Sequence, residues 1–217
     1  QNATVALNDD VHLIDKNVSI RRFAEDIYFG KDSVMICATN NARVAYNKVI
    51  RQAIGKTDKI DNDQLIAVNN SSEYDNGEIF VGDDMTYTKS RTVNLPGVGN
   101  VDIDIYKRGE ITFLHVPNLM TASLHTLQFK ELDIATKIDL FGKENIHIAT
   151  GIVKNVVITT WAYAVSCHKM QGSQFETVYV DFDYCSSNWN ASRWLYTGIT
   201  RASKKVILLP SKNINFV

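Results

Sequence analysis

The stretch Ser33-Val34-Met35-Ile36-Cys37-Ala38 constrains the fold of this chain more than any other. Apolar residues in unbroken succession leave no polar face. A strand built from them has both faces covered, as in a parallel sheet with helices on either side. The next residues fit that frame. Thr39-Asn40-Asn41 offers side chains suited to capping a helix. Ala42, Ala45, Tyr46, Val49, Ile50 and Ala53 then recur at helical spacing until Gly55 ends the pattern. A strand, a polar turn and a helix in that order form the unit of an α/β sheet protein.

The same texture occurs towards both ends. Ile20, Phe23, Ala24, Ile27 and Tyr28 lie at helical spacing within an amphipathic opening of residues 1–30. Past Gly151, Val156-Val157-Ile158-Thr159-Thr160 and Thr177-Val178-Tyr179-Val180-Asp181-Phe182 read as strands, Asn188 to Ala202 as a helix, and Lys205 to Leu209 as a last buried strand. From about residue 60 the texture differs. Short strand-like runs (Gln64 to Val68, Glu78 to Val81, Val101 to Tyr106, Ile111 to His115) are punctuated by Asn76-Gly77, Pro96-Gly97 and Arg108-Gly109. Val101, Ile103 and Ile105 alternate with Asp102 and Asp104, the pattern of a half-exposed strand. Short strands joined by tight turns predict a small β-barrel inserted into the α/β frame. Residues 120–150 hold no single period: Leu124, Leu127, Leu132, Ile138 and Leu140 fit helical turns, whereas Ile146-His147-Ile148 looks extended. The expected organisation is an α/β domain in two segments, residues 1–60 and 150–217, interrupted by residues 61–149.

Charge and cysteines narrow the function. With 23 Lys and Arg against 24 Asp and Glu, the net charge is −1. That excludes binding to nucleic acid through overall charge and leaves a local basic cleft as the route. Cys37, Cys167 and Cys185 are odd in number and show no Cys-x-x-Cys spacing, so reduced thiols in a cytoplasmic protein are expected rather than disulfides or zinc. No apolar run approaches the roughly 18 residues of a membrane span, and no membrane partner is expected. The chain starts at Gln1 without an initiator Met, as a piece of something longer would.

Two tempting sites fail on spacing. Ile54-Gly55-Lys56-Thr57 resembles the end of a phosphate-binding loop, but the pattern needs Gly five residues before its Gly-Lys, and Ile50 stands there inside a helix. Asp83-Asp84 and Asp102/Asp104 lack the glycine-bearing loop of a calcium site, and no metal is expected on this chain. Tyr87, Lys89, Arg91, Tyr106, Lys107 and Arg108 interleave aromatic and basic groups, a weak signal for base stacking.

Two strings carry more. Ala164-Val165-Ser166-Cys167-His168-Lys169-Met170-Gln171-Gly172-Ser173-Gln174-Phe175 delivers a hydroxyl, an imidazole, an ammonium and an amide within six residues of a strand end, donors that suit phosphate oxygens. Gly172 allows a sharp turn or close approach of a ligand to the backbone. Trp194-Leu195-Tyr196-Thr197-Gly198-Ile199-Thr200-Arg201-Ala202 sets Leu195 and Ile199 four apart on a helix, with Arg201 near its C-terminus. Taken alone, Arg201 reads as a cation favouring the helix dipole, and Thr39 to Asn41 as ordinary capping residues.

Together the strings resemble the last two signature motifs of superfamily 1 helicases, most closely of the RecD/Dda type. The first matches Thr-x-His-Lys-x-Gln-Gly-x-x-Phe with Ser166 in the Thr position; the second matches Leu-Tyr-x-Ala/Gly-Ile/Val-Thr-Arg. A family Glu before the Phe is here Gln174, an amide that can still hydrogen-bond a ribose hydroxyl. The resemblance implies single-strand contacts by Ser166 and His168 with Lys169 nearby. It implies a nucleotide-facing turn at Gln171, Gly172 and Gln174, and an arginine finger, Arg201, for the γ-phosphate. A guanidinium suits that task through its permanent charge and fixed donor fork. The family also has a strand, Thr-Asn and a helix at a point matching Ala38 to Arg43, which implies contact roles for Thr39, Asn40, Asn41 and Arg43.

The architecture so implied is a second RecA-like domain without its own phosphate loop, interrupted by a Src-homology-like barrel. Its partners would be single-stranded DNA, with RNA not excluded, and a preceding RecA-like domain that holds most of the ATP and Mg. The whole protein would be an ATP-dependent DNA helicase, and this chain alone would not hydrolyse ATP. The alternative is a free-standing single-stranded nucleic-acid-binding module that keeps the fold without the motor. An enzyme complete in this chain fits worst, because no clustered acid, base or metal set occurs.

Overall fold

The computed structural model describes residues 3–5, 8–71, 73–95, 97–119, 131–147, 152–153, 155–170, 172–182, 191–210 and 214–216. Leu124 and Leu127, expected on helical turns, lie outside these residues, as do Cys185 and Ile148. The chain divides into two compact units, one of residues 1–59 and 163–217, the other of residues 60–162.

The first unit opens with β1 (Ala3–Val5), β2 (Val11–Leu13), α1 (Lys16–Tyr28), β3 (Ser33–Cys37) and α2 (Asn40–Ala53). Asp15 caps α1 by accepting from the Asn17 and Val18 amides, and Thr39 caps α2 by accepting from Ala42 at 3.1 Å. Gly55, at φ 73°, closes α2 with its amide on the Gln52 carbonyl, so Gly55-Lys56 is a helix stop and not a phosphate loop.

The second unit contains β4 (Gln64–Ala67), β5 (Ile79–Val81), β6 (Thr86–Leu95), β7 (Gly99–Arg108), β8 (Ile111–His115), α3 (Ile134–Phe141), the short pair β9 (Ile146–His147) and β10 (Ile152–Val153), and β11 (Val156–Trp161). The chain then re-enters the first unit through β12 (Ala164–Ser166), a 3-10 turn over Cys167–Met170, β13 (Phe175–Asp181), α4 (Ala191–Ile199), β14 (Ala202–Leu208) and β15 (Ile214–Phe216).

In the first unit five strands pair in the order β12-β3-β13-β14-β2, every pairing parallel. All five residues of β3 are buried, as its unbroken apolar run demands. Phe23 of α1 and Tyr46 and Ile50 of α2 pack with Met35, Cys37, Tyr179 and Ile207 on one face. The α4 helix covers the other face. A Cβ on Gly198 would stand 3.8 Å from Val180 and 3.9 Å from Ile36, and the Trp194 and Phe182 rings meet at 4.8 Å between centroids. The β1 and β15 strands form a separate parallel pair. This mixed α/β architecture with a parallel sheet fits a RecA-like domain.

The second unit is a six-stranded mixed sheet, ordered β5-β4-β11-β8-β7-β6. A small β-barrel is expected here; among the described residues no pairing joins β5 to β6, so a barrel is not shown. Both faces are covered. Leu95, Ile103, Ile105, Leu114, Val156 and Ile158 pack under Leu140 and Phe141 of α3 on one side, while Leu65, Tyr74, Tyr106, Phe113, Val157 and Trp161 form a second core on the other. Val156 to Thr160, expected in the α/β frame, belongs here: β11 pairs antiparallel with β4 and parallel with β8. A strand buried on both faces reads the same in either sheet. Gly82 is fixed by packing, since a Cβ there would stand 2.7 Å from both Ile60 and Leu65. No helix among the described residues is long and apolar enough to cross a membrane.

Candidate functional site

The parallel sheet sorts the sequence-predicted residues into two groups, one at each of its edges. At the carboxyl edge, β3 and β12 are neighbours with Cys37 opposite Ser166, so the turn beginning at Thr39 meets the turn after Ser166. Open α/β sheets bind ligands beyond the carboxyl ends of their strands. Thr39 and Asn40 are half-buried, Asn41 is exposed and Ser166 is half-buried. Asn40 accepts from the Arg43 guanidinium at 3.4 Å. His168 lies in the 3-10 turn, but its side chain is outside the described set, and Gln171 is outside it altogether.

Arg43 and Lys169 give this edge its electrostatics. Arg43 is only 6% exposed, and burial lowers its pKa from the ordinary value. Burial also lowers the Lys169 pKa, with the positive charge of Arg43 acting in the same direction. Arg43 and Lys169 bring two positive charges to the strand ends, where the buried carboxylate of Asp181 also lies. Arg43, to which the resemblance gives a contact role, is largely buried.

Two residues without a role in the sequence reading hold the edge in shape. Asn47 of α2 is 2% exposed and clamps β12: its Nδ2 donates to the Ala164 carbonyl at 2.8 Å and its Oδ1 accepts from the Ala164 amide at 3.0 Å. Asp181, at the end of β13, is 3% exposed; it accepts from the Tyr46 hydroxyl and from Lys16 at 3.2 Å. The signal for both was a polar residue inside an apolar pattern: Asn47 beside Tyr46 and Ile50, Asp181 between Val180 and Phe182. Burial pushes the neighbouring Cys37 thiol far above its ordinary pKa, which leaves it protonated and inert at neutral pH.

The amino edge carries the second group. The Phe175 amide donates to the Arg201 carbonyl at 2.8 Å, which joins the end of the first string to the end of the second. Gly172, at φ 95°, is exposed and a Cβ there would meet nothing within 4 Å; Gln174 is exposed beside it. Arg201 is half-buried and its guanidinium is held by its own chain. Nε donates to the Thr197 carbonyl at 3.2 Å, Nη1 to the Ser173 carbonyl at 3.3 Å and Nη2 to Thr200 Oγ1 at 3.3 Å. These acceptors are neutral carbonyl and hydroxyl oxygens, so an anion would compete for the same donors on favourable terms. Burial pushes the Cys167 thiol up to about 11, with Arg201 pulling the opposite way.

The stretch from Ser166 to Phe175 therefore runs from one edge of the sheet to the other. Ser166 stands opposite Cys37 at the end of β3, and Thr177 bonds back to Asp32 just before its start.

The aromatic and basic residues of the second unit are mostly engaged within it, although Tyr87 is exposed. Tyr106 is 1% exposed and its hydroxyl accepts from the Ile60 amide at 3.0 Å. Lys89 and Arg91 share Asp139, Lys107 pairs with Glu144, and Arg108 pairs with Glu73 at 2.5 Å. Asp102 accepts from Thr92 at 2.7 Å and Asp104 from Ser90. No group of three His, Cys, Asp or Glu side chains able to hold a metal ion occurs among the described residues.

Residues 161–209 match the family model of the UvrD-like helicase C-terminal domain, a span that includes both strings and the strands β12, β13 and β14. No curated protein matches the chain. The match supports a superfamily 1 helicase C-terminal region for this part of the chain. It supports a helicase-type enzyme as the whole protein, with the nucleic-acid binding that such a family implies.

Proposed function

We propose that the chain is the C-terminal portion of an ATP-dependent superfamily 1 DNA helicase of the RecD/Dda type, with its α/β unit acting as the second RecA-like domain. One observation carries the reading: residues assigned to nucleotide by motif gather at the amino edge of the sheet, and those assigned to the strand gather at its carboxyl edge. Gly172, Gln174 and Arg201 form the first group, with Gln171 just before them in sequence. Thr39, Asn40, Asn41, Arg43, Ser166 and Lys169 form the second, with His168 in the same turn.

The residues fit one wall of a nucleotide cleft. The exposed Gly172 backbone leaves room for close approach of a ligand, Gln174 offers an amide to a ribose hydroxyl, and Arg201 brings a permanent cation with a planar fork of donors. They do not fit a metal, so Mg would be held by the preceding RecA-like domain together with the phosphates. ATP supplies the phosphoanhydride whose cleavage drives translocation. The part of this chain is to let Arg201 exchange its three neutral acceptors for γ-phosphate oxygens and stabilise the charge that develops there. At the carboxyl edge, Ser166, Thr39 and the field of Arg43 and Lys169 hold the backbone of a single strand.

The test is Arg201→Ala in the full-length protein. ATP turnover is expected to be abolished and single-stranded DNA binding retained; unchanged turnover would sink the assignment.

A further inference from the structure

The net charge of −1 conceals a division between the two units. Residues 1–59 and 163–217 hold fifteen Lys and Arg against ten Asp and Glu, a net of +5; residues 60–162 hold eight against fourteen, a net of −6. We propose that the two units act oppositely on nucleic acid: the α/β unit attracts the strand, and the inserted unit repels it from its own surface. The inference rests on the nucleic-acid reading of the α/β unit and adds a role for the insert.

The structure supplies the reason beyond the count. The cations Lys89, Arg91, Lys107 and Arg108 of the insert are each committed to a carboxylate of the same unit, and Arg108 also lies 3.6 Å from Asp83. Arg108 is further engaged by the Tyr74 hydroxyl. None of these four is left to neutralise a phosphate without first giving up an ion pair. Asp75, Glu78, Asp84 and Glu110, by contrast, are exposed and have no Lys or Arg within ion-pair distance among the described residues. Of the two tyrosines interleaved with these cations, Tyr106 is in the core and Tyr87 is exposed. Lys143 of the insert is also exposed, but these four carboxylates outnumber it, so the described surface of the insert carries an excess of negative charge. In the α/β unit Arg21, Arg22 and Lys48 are exposed in addition to the cations at the carboxyl edge.

The size of the effect is set by screening. The Debye length is ~30 Å at 0.01 M salt and ~8 Å at 0.15 M. The repulsion acts on an approaching strand at low salt and fades near physiological ionic strength. The repulsion thus acts on a strand as it approaches and disfavours landing on the insert.

The experiment compares the chain with a variant carrying Asp75→Asn, Glu78→Gln, Asp84→Asn and Glu110→Gln, titrated with a fluorescein-labelled oligothymidylate at low and high salt. Asp84 sits at φ 53°, a conformation that Asn tolerates, and the other three are surface positions, so the fold is expected to persist. The variant should bind about threefold or more tighter at low salt, and the two proteins should converge as screening shortens the reach of the charges. A second variant, Lys89→Ala with Arg91→Ala, should bind no more weakly than the parent. Equal affinity of the neutralised variant at low salt, or weaker binding by the Lys89/Arg91 variant, would overturn the inference while leaving the α/β reading intact. Absence of binding by every protein at every salt concentration would sink both.

Discussion

The two edges of the parallel sheet are built from the same strands and loops, yet they are finished in opposite ways. At the carboxyl edge the half-buried and exposed groups of the two turns stand on buried, bonded ones: Asn47 on both backbone groups of Ala164, Asp181 between Tyr46 and Lys16, Arg43 against Asn40. At the amino edge the groups are half-exposed, the turn at Gly172 is open, and the guanidinium of Arg201 rests on three neutral oxygens of its own chain. The first arrangement suits a surface that keeps its shape while a strand slides over it. The second suits a group that must change partners in each cycle. On the proposed reading, burial would give rigidity to a track, and weak neutral contacts would keep a cation exchangeable for a transient anion.

Four substitutions sharpen or break this contrast. The largest effect belongs to Arg201→Ala in the full-length protein, where loss of an arginine finger lowers turnover by on the order of 10³-fold or more. Steady-state ATP hydrolysis at saturating single-stranded DNA reads it. Next comes Asn47→Ala, which leaves the buried amide and carbonyl of Ala164 without their partner and should cost about 3 kcal/mol by denaturant unfolding. A loss below about 0.5 kcal/mol, the scale of an ordinary surface substitution, would mean the carboxyl edge is not held as described. Lys169→Ala should weaken oligothymidylate binding and lower the slope of log affinity against log salt by about one, as for a single phosphate contact. An unchanged slope would remove Lys169 from the track. Smallest is Gly172→Ala: with φ at 95° and open space around the Cβ, it should cost about 1 kcal/mol of stability from backbone strain alone. A collapse of ATP turnover far beyond that loss would show the nucleotide lying against this backbone.

The elements that could be read from sequence were those whose pattern has one physical meaning. Ser33 to Cys37 followed by a capped helix is such a case, because a wholly apolar strand requires cover on both sides. The helix expected over Asn188 to Ala202 is described at Ala191–Ile199, with Arg201 just beyond its end. The same unbroken apolarity made Val156 to Trp161 misleading, since a strand buried on both faces carries no mark of which sheet it joins. The long strand from Thr86 to Leu95 was invisible for the opposite reason. Most of it is exposed and polar, and its pairing with β7 rests on backbone bonds and on Ser90–Asp104 and Thr92–Asp102 contacts rather than on apolar alternation. Of the site, the motif residues were legible as types at fixed spacing. Their division between two edges was not, because it depends on β12 and β13 flanking β3, a fact of topology that no spacing encodes. The burial of Arg43 was hidden for the same reason: a helix position tells which side a residue faces only once the neighbouring strand is known.

The division of labour between the edges is tested most directly by a crossed comparison of Lys169→Ala and Arg201→Ala in the full-length protein, with ATP turnover and single-stranded DNA affinity measured for both. The account predicts separable defects: Lys169→Ala weakens DNA binding while turnover at saturating DNA stays near that of the parent, and Arg201→Ala abolishes turnover while affinity for DNA is kept. If Arg201→Ala instead loses DNA affinity with turnover intact, or if both variants fail equally in both measurements, the two edges do not hold two different ligands and the account is wrong.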